Sequence, residues 1–298
     1  MYSKKISIAS AFVVVLIIWS STPLAIQWSA ADAPMTGVLI RMIVGVLFSL
    51  VILGLTTTAL PLHAPAIRLY VFNGLSIFFS MSLFYLASQH IPSGWIAVLF
   101  GLSPLLTGLF SAMVEPETKL TFLRLCGIAL GFSGLYLVFS AGLKVEDASL
   151  IGIVFSVIGT IISSATSVVV RQLVKPLTIT GMQITTGSII VTIPFFTLAA
   201  WLSPTGLNAN LSHQALLSTL YLGLIGTGLG FSLYYYLLKH VSANRVSLIT
   251  LVTPICALVL GSWLNNEPLV SKVWFGAGLV CVGLLIYEFK PKLGLRKL

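Results

Sequence analysis

The sequence predicts an all-α integral membrane protein with ten transmembrane helices in two inverted five-helix repeats and with both termini on the cytoplasmic side. Three observations predict this fold. The 298 residues are 57% hydrophobic and only 8% charged, bilayer-length apolar runs recur along the chain, and the second half of the chain resembles the first. Because a soluble domain usually carries about 25% charged residues, lipid is the expected solvent.

Ten apolar runs are long enough to be membrane spans, since a crossing needs about 20 mostly apolar residues. The run that starts at residue 6 exceeds the roughly 7 to 15 apolar residues of a signal peptide, so it is predicted to be the first span. The ten predicted spans cover approximately residues 6–27, 36–56, 67–87, 94–114, 121–141, 150–172, 182–202, 214–238, 244–264 and 271–289.

The internal repeat is clearest in two stretches that align without a gap. Residues 82–104 read SLFYLASQHIPSGWIAVLFGLSP, and residues 232–254 read SLYYYLLKHVSANRVSLITLVTP. Both begin with Ser-Leu and end with a proline, Pro104 in the first and Pro254 in the second. A duplication of this length is the size of half a fold rather than a solenoid repeat of roughly 20 to 50 residues. It divides the chain into a first repeat, 1–143, and a second, 144–298.

Basic residues and tryptophans predict the orientation. Lys and Arg accumulate on the cytoplasmic side, and with the N-terminus inside only Arg41, Lys144 and Lys272 of the 16 basic residues fall outside. Tryptophan prefers the headgroup level. Five tryptophans fall at predicted outer span ends: Trp28, Trp95, Trp201, Trp263 and Trp274. Because each repeat has an odd number of spans, the two repeats are inverted, and a cavity is expected near the midplane where they meet.

Charge and cysteine content argue against several other classes of protein. The net charge of +9 comes from basic residues at the ends of apolar runs, not on one polar face, which favours topology over nucleic-acid binding. Cys126, Cys256 and Cys281 lie inside apolar runs without a C-x-x-C pair. We therefore expect no disulfide framework, no metal site and no cofactor.

Uncharged polar residues form stripes at helical spacing in three spans. The sixth span has Thr160, Ser163, Ser164 and Ser167, the third has Asn73, Ser76 and Ser80, and the ninth has Ser247, Thr250 and Thr253. One interpretation is a hydrated cavity wall. The other is that small polar residues let neighbouring helices approach and hydrogen-bond, which we favour for the glycine pair Gly127 and Gly131 and the pair Gly226 and Gly230.

Aromatic residues and prolines supply further candidates, because small-molecule pockets are mostly apolar with a few placed polar groups. Trp19 is the only tryptophan away from a span end, and Phe79 and Phe84 lie on the third span. Pro104 and Pro254 each remove a backbone hydrogen bond, so they predict matched kinks or hinges, with static shaping as the alternative.

Arg41 lies one to two turns below the predicted outer surface. Its side chain either extends to the outer headgroups or forms a gate or a site for anionic substrate groups. The acidic residues, by contrast, all lie in loops or at span ends. Direct coupling to protons or sodium therefore has no obvious carboxylate.

The ten-helix pattern, Trp19-Ser20-Ser21, Arg41, the paired prolines, and Glu267 followed nine residues later by Gly276 resemble the drug/metabolite transporter superfamily, in its EamA-type ten-helix branch. The resemblance implies an inner-membrane carrier of amino acids or similar metabolites, often exporting them, with a cavity lined by the first, third, fourth, sixth, eighth and ninth spans. Arg41, Pro104 and Pro254 are then candidates for gating. The candidate substrate-binding residues are Trp19, Ser20, Asn73, Ser76, Phe79, Ser80, Phe84, Ser103, Thr160, Ser163, Ser164, Ser167, Thr227, Tyr234, Ser247 and Thr250.

The expected function is thus a secondary carrier or facilitator that works by alternating access, as a monomer in the lipid bilayer, on a small-molecule substrate and without nucleic acid. A passive channel or a lipid flippase is the alternative. A membrane-embedded enzyme is disfavoured, because no cluster of acids and no His/Asp or Cys/His set converges in the sequence.

Overall fold

The computed structural model describes residues 2–114, 121–142, 147–207, 210–231, 233, 236–237, 243–268 and 270–288, and all regular structure in these ranges is helical. The elements are α1 (Tyr2–Ala30), α2 (Pro34–Leu55), α3 (Ala64–Ala87), α4 (Ser93–Phe100), α5 (Ser103–Val114), α6 (Phe122–Gly142), α7 (Asp147–Val174), α8 (Gly181–Leu202), α9 (His213–Tyr221), a π-helical segment (Leu222–Leu229, the π segment), α10 (Ala243–Asn265) and α11 (Ser271–Glu288).

The helices have the length and surface of membrane spans. Six segments of the described chain are long and apolar enough to cross a bilayer: Ile8–Ala30, Pro34–Leu55, Ala64–Ala87, Ser93–Val114, Leu150–Val174 and Gly181–Leu202. Three shorter apolar helices cover Phe122–Val138, Val252–Asn265 and Ser271–Tyr287. Large apolar side chains such as Leu47, Phe122 and Phe275 are exposed, which suits contact with lipid. The predicted all-α membrane protein is confirmed.

The fourth predicted span is interrupted at its centre. α4 ends at Phe100 and α5 begins at Ser103, with the Leu102 amide donating to the carbonyl of Leu99 instead of continuing the α-helical ladder. Pro104 is the second residue of α5, where its missing N–H costs no intrahelical bond. Pro254 instead lies inside the continuous helix α10. The two prolines therefore differ in position: Pro104 follows a helix break, and Pro254 lies inside a continuous helix.

Contacts between the helices follow a regular pattern along the chain. With α4 and α5 counted as one span, and α9 with the π segment as another, the fifth span packs along the tenth, the second along the seventh and the fourth along the ninth. The third packs on the sixth and seventh, as the eighth packs on the first and second. The first also packs on the ninth, as the sixth does on the fourth. The most extensive contacts between spans thus each have a counterpart five spans away.

Glycines bring α6 and α11 into backbone contact. A Cβ added at Gly127 would lie 2.5 Å from the carbonyl oxygen of Gly283, and one added at Gly134 would lie 2.5 Å from that of Gly276. Gly131 packs on the side chain of Leu105. The packing interpretation of the Gly127 and Gly131 pair is confirmed.

The tryptophans divide between the surface and the core. Trp201 and Trp263 are largely exposed, as a belt at the headgroup level requires. Trp95 at the start of α4 is buried instead, in the core cluster that surrounds Val98 and Leu99. Trp95 still lies at the start of its helix, but its ring contacts the protein core instead of the surface.

Candidate functional site

The C-terminal end of α1 is the most densely hydrogen-bonded point in the described structure that joins several spans. Ser29 Oγ lies 2.7 Å from Thr219 Oγ1 of α9 and 3.4 Å from the hydroxyl of Tyr85 on α3. Gln89 Nε2 donates to the carbonyl oxygen of Ala30 at 2.9 Å. These bonds fasten the end of the first span to the third and the eighth.

The same end of α1 is also tied to α4 and α10. The backbone amide of Ser93 donates to Gln27 Oε1 at 3.2 Å, and Trp28 Nε1 donates to Asn265 Oδ1 at 2.9 Å. We name the whole set the α1-end cluster. Its members are Gln27, Trp28, Ser29, Ala30, Tyr85, Gln89, Ser93, Thr219, Asn265 and Glu267.

Glu267 completes this cluster by capping α4 from the loop between α10 and α11. Its Oε1 accepts from the amide of Ser93 at 3.0 Å, from Ser93 Oγ at 2.6 Å and from Asn265 Nδ2 at 3.2 Å, and its Oε2 accepts from the amide of Gly94 at 3.1 Å. The first amides of a helix have no intrahelical partner, and the positive end of the helix dipole favours a carboxylate there. The carboxylate of Glu267 therefore interacts with donors of the protein itself, at the start of α4.

The N-terminal half of α1 has a different environment. A surface cavity of about 470 Å³ borders it, lined by Ser10, Ala11, Val14, Leu233 and Tyr236. Trp19 is half-buried and packs against the cluster formed by Val15, Leu237 and Ile249. The first span is thus fastened at one end and bordered by open space at the other.

The middle of α1 presents hydroxyl groups to its neighbours. Ser21 Oγ lies 2.6 Å from the hydroxyl of Tyr221. Ser20 is buried, and its Oγ has no hydrogen-bond partner among the described residues. A buried hydroxyl without a partner is costly, which sets Ser20 apart from Ser21 and Thr22, whose hydroxyls are hydrogen-bonded.

Polar residues predicted on the fourth and sixth spans form a seam between α5 and α7. Ser103 Oγ lies 2.9 Å from Ser164 Oγ, and Thr107 Oγ1 lies 3.3 Å from Ser167 Oγ. One turn further, Arg171 Nη2 donates to Ser111 Oγ at 3.2 Å. Between the two interpretations left open by the sequence, hydrogen bonding across a helix contact describes Ser103, Ser164 and Ser167.

The other stripe residues bond mostly within or between packed helices. Thr160, Ser163 and Ser80 donate to carbonyl oxygens of their own helices. Asn73 Nδ2 donates to Ser188 Oγ of α8 at 2.9 Å, and Ser76 is buried. Of the bonds named, that of Asn73 joins two helices, and those of Thr160, Ser163 and Ser80 lie within one helix.

The aromatic candidates on α3 occupy opposite environments. Phe84 is buried, and its ring packs edge-on against Phe100 with centroids 5.6 Å apart. Phe79 is 52% exposed and packs edge-on against Phe78. The helix therefore does not bring Phe79 and Phe84 to one surface.

The candidates on the eighth and ninth spans are described only in part. Tyr234 and the side chain of Ser247 lie outside the described residues, and Thr250 is half-buried. Pro254 packs on the break in the fourth span, because a Cβ added at Gly101 would lie 2.9 Å from its Cγ. Pro254 therefore contacts the turn that joins α4 to α5, three residues before Pro104.

Arg41 faces the protein interior. Its side chain is 3% exposed, and Nε donates to Thr227 Oγ1 in the π segment at 3.2 Å. Nη1 is buried and has no hydrogen-bond partner among the described residues. Of the two arrangements considered for Arg41, extension to the headgroups does not fit this burial. The pairing with Thr227 also brings together two sequence candidates from different repeats.

The described residues contain no group of three His, Cys, Asp or Glu side chains that could hold a metal ion.

Sequence reasoning missed the α1-end cluster, because its members belong to no polar stripe. The available signal was amide side chains at the ends of apolar runs, namely Gln27, Gln89 and Asn265. Such groups are costly to leave unpaired near lipid.

Comparison with known proteins identifies the class. The EamA-like transporter family matches residues 6–140 and 150–288. The chain is 27% identical over 286 residues to "Uncharacterized inner membrane transporter YedA" of Escherichia coli K12, covering 92% of this chain and 90% of the relative. It is 24% identical over 284 residues to "Uncharacterized transporter YoaV" of Bacillus subtilis 168, covering 92% and 94%. It is 26% identical over 277 residues to "Protein PecM" of Dickeya dadantii, covering 89% and 88%.

A solved crystal structure of a protein with 18% sequence identity shares the fold, with a TM-score of 0.69 over 98% of this chain and 99% of the other. Together with the helical architecture, these matches define a multi-pass membrane transporter rather than an enzyme. The chain belongs to the EamA-like transporter family, which confirms the resemblance to the drug/metabolite transporter superfamily.

Proposed function

We propose that the protein is a secondary carrier that exports a small metabolite, an amino acid or a related compound, across the inner membrane by alternating access. Its two inverted repeats, 1–143 and 144–298, would rock against each other around a central site. The observation that carries this proposal is that the most extensive contacts between spans each have a counterpart five spans away. Two similar halves related by a two-fold axis in the membrane plane would produce this pattern. Carriers built in this way alternate between two states, one open to each side of the membrane.

The difference between the two ends of α1 supports a carrier closed on one side. With the N-terminus cytoplasmic, the α1-end cluster lies at the outer surface, where it joins the first span to the third, fourth, eighth and ninth spans. The surface cavity beside Ser10 and Val14 then lies toward the cytoplasm. This arrangement corresponds to a state that receives substrate from inside.

The composition of α1 supports a substrate that is partly apolar. Trp19 offers a half-buried aromatic surface, and the unpartnered hydroxyl of Ser20 lies on the next residue. An amino acid or a similar solute combines an apolar side chain with groups that hydrogen-bond. The named relatives are described only as transporters, so the substrate class rests on these residues and on the family resemblance.

The test is transport by purified protein in liposomes, using radiolabelled amino acids and organic anions with and without an imposed pH gradient. We expect saturable exchange of one solute class that is stimulated by substrate on the far side, as alternating access requires. Trp19→Ala should abolish most of this exchange, whereas Trp263→Ala, which removes an exposed tryptophan, should not. Flux that neither saturates nor responds to substrate on the far side would indicate a channel and refute the proposal.

A further inference from the structure

The arrangement around Arg41 has a chemical consequence that the family assignment does not supply. We propose that Arg41 and the π segment form an anion subsite that binds the carboxylate of a carboxylate-bearing substrate. This inference rests on the proposed carrier function and specifies the substrate class of that carrier. It concerns the guanidinium of Arg41, the hydroxyl of Thr227 and the space beside Gly226.

The charge of Arg41 needs a partner. The guanidinium stays protonated in proteins, and a charge buried away from water persists only when it is paired and hydrogen-bonded. The partner that the described residues provide is the neutral hydroxyl of Thr227, and buried Nη1 has none. Asp32 and Glu267 hydrogen-bond elsewhere, to Ser212 and to the start of α4. Among the described side chains, therefore, no negative charge is paired with Arg41.

The π segment leaves room for such a group. A Cβ added at Gly226 would have no neighbour closer than 3.5 Å, and Arg41 Nη2 would lie 4.0 Å away. Elsewhere the same two helices touch, since a Cβ at Gly45 would lie 3.0 Å from Thr227 Cγ2 and one at Gly223 would lie 2.6 Å from Val44. Of these three glycines, only Gly226, beside the guanidinium, would accept an added side chain without a close contact. π-helical turns are rare and occur frequently at functional sites.

The chemistry of guanidinium selects a carboxylate. Its planar N–H groups match the two oxygens of a carboxylate, which they can bind with two parallel hydrogen bonds. Nε of Arg41 already donates to Thr227. Nη1, which has no partner among the described residues, and Nη2, which lies near Gly226, remain for a ligand. Inside the membrane, where water does not screen the charge, a carboxylate should be strongly preferred over the neutral amide of the same shape.

The test compares acids with their amides in a binding assay that does not require transport. The purified protein in detergent is titrated with acetate and acetamide, benzoate and benzamide, and N-acetyl-leucine and N-acetyl-leucinamide, at constant ionic strength, and binding is followed by thermal stabilisation. For at least one pair we expect the acid to bind about ten to a hundred times more tightly than the amide, as a hydrogen bond to a charged group provides. Arg41→Gln should abolish the preference, and Arg41→Lys should keep part of it.

Two further variants make the result specific. Arg68→Gln removes an equal charge from an exposed position at the start of α3 and should keep the full preference. Gly226→Leu keeps the charge of Arg41 but fills the adjacent space, so it should weaken acid binding even if Arg41→Gln fails to fold. Absence of any acid preference in the wild type, or an unchanged preference in both Arg41→Gln and Gly226→Leu, would overturn the proposal.

The experiments distinguish failure of the carrier proposal from failure of the anion subsite. If liposomes transport no solute but the acid preference depends on Arg41, the anion subsite stands and the carrier proposal fails. If transport is saturable while acids and amides compete equally for it in the wild type and in Arg41→Gln, the carrier proposal stands and the anion subsite is refuted.

Discussion

Glu267 should contribute measurably to the stability of the protein through its cap on α4. Four donors converge on its two carboxylate oxygens: the amides of Ser93 and Gly94, the hydroxyl of Ser93 and the side-chain amide of Asn265. Replacing an N-cap residue by Ala costs roughly 0.5–2 kcal/mol, and a hydrogen bond to a charged group contributes about 1.5–3 kcal/mol. Because Glu267 is half-buried, solvent screening reduces these figures.

We therefore expect Glu267→Ala to lower the free energy of unfolding by about 2–3 kcal/mol. Glu267→Gln keeps the shape and one oxygen acceptor but turns an amide group toward the donors, so it should cost roughly 1 kcal/mol. In a protein of this size each kcal/mol corresponds to about 2–4 °C in Tm. Glu267→Ala should then melt roughly 4–12 °C below the wild type.

The assay is thermal denaturation of the purified protein in detergent, followed by circular dichroism and by intrinsic tryptophan fluorescence. Asp32→Asn is the matched control, because Asp32 is an exposed loop carboxylate that accepts one backbone amide, that of Ser212. Its Tm should stay within about a degree of the wild type. A Glu267→Ala protein that also melts within a degree of the wild type would refute the capping role assigned to Glu267.

Two further predictions follow from the packing and the loops. Gly134→Ala should destabilise the protein by about 1–3 kcal/mol, since its Cβ would lie 2.5 Å from the carbonyl oxygen of Gly276. Gly278→Ala is the control and should not destabilise the protein, because its Cβ would have nothing within 4 Å. Equal melting temperatures of the two variants would contradict this prediction. The amide of Ser212 lowers the pKa of Asp32 below 3.8, so its small stabilisation should persist at higher pH and disappear as acid protonates the folded state. The measurement is an NMR titration of the Asp32 carboxyl, which should show a pKa below that of an unperturbed aspartate; a pKa at or above the unperturbed one would contradict this.

The polar stripes show where sequence periodicity stops being informative. The spacing of Ser164 and Ser167 identifies a common helix face, but not the neighbour that the face meets. In the folded protein that neighbour is α5, and the bonds are to Ser103 and Thr107. A cavity wall and a helix contact use the same residue types at the same spacing, so only the positions of the other helices distinguish them.

Arg41 illustrates the same limit for a charged residue. Its place near the end of an apolar run is compatible with an extended side chain at the headgroups and with a buried one. The partner that decides between them, Thr227, is 186 residues away in the chain. The contact depends on Gly223 and Gly45, which let α2 and the π segment approach.

The sequence by itself determined the helical membrane architecture and the family. The architecture follows from apolar run length and composition, which reflect the free energy of transferring each segment into lipid and need no knowledge of its neighbours. The family follows from the resemblance of the sequence to its members. Tertiary structure decided which polar groups meet. The cap of Glu267 on α4, the fastening of the end of α1 and the burial of Arg41 all join residues from separate spans. Such contacts arise from helix packing angles and backbone approach, which local sequence does not encode.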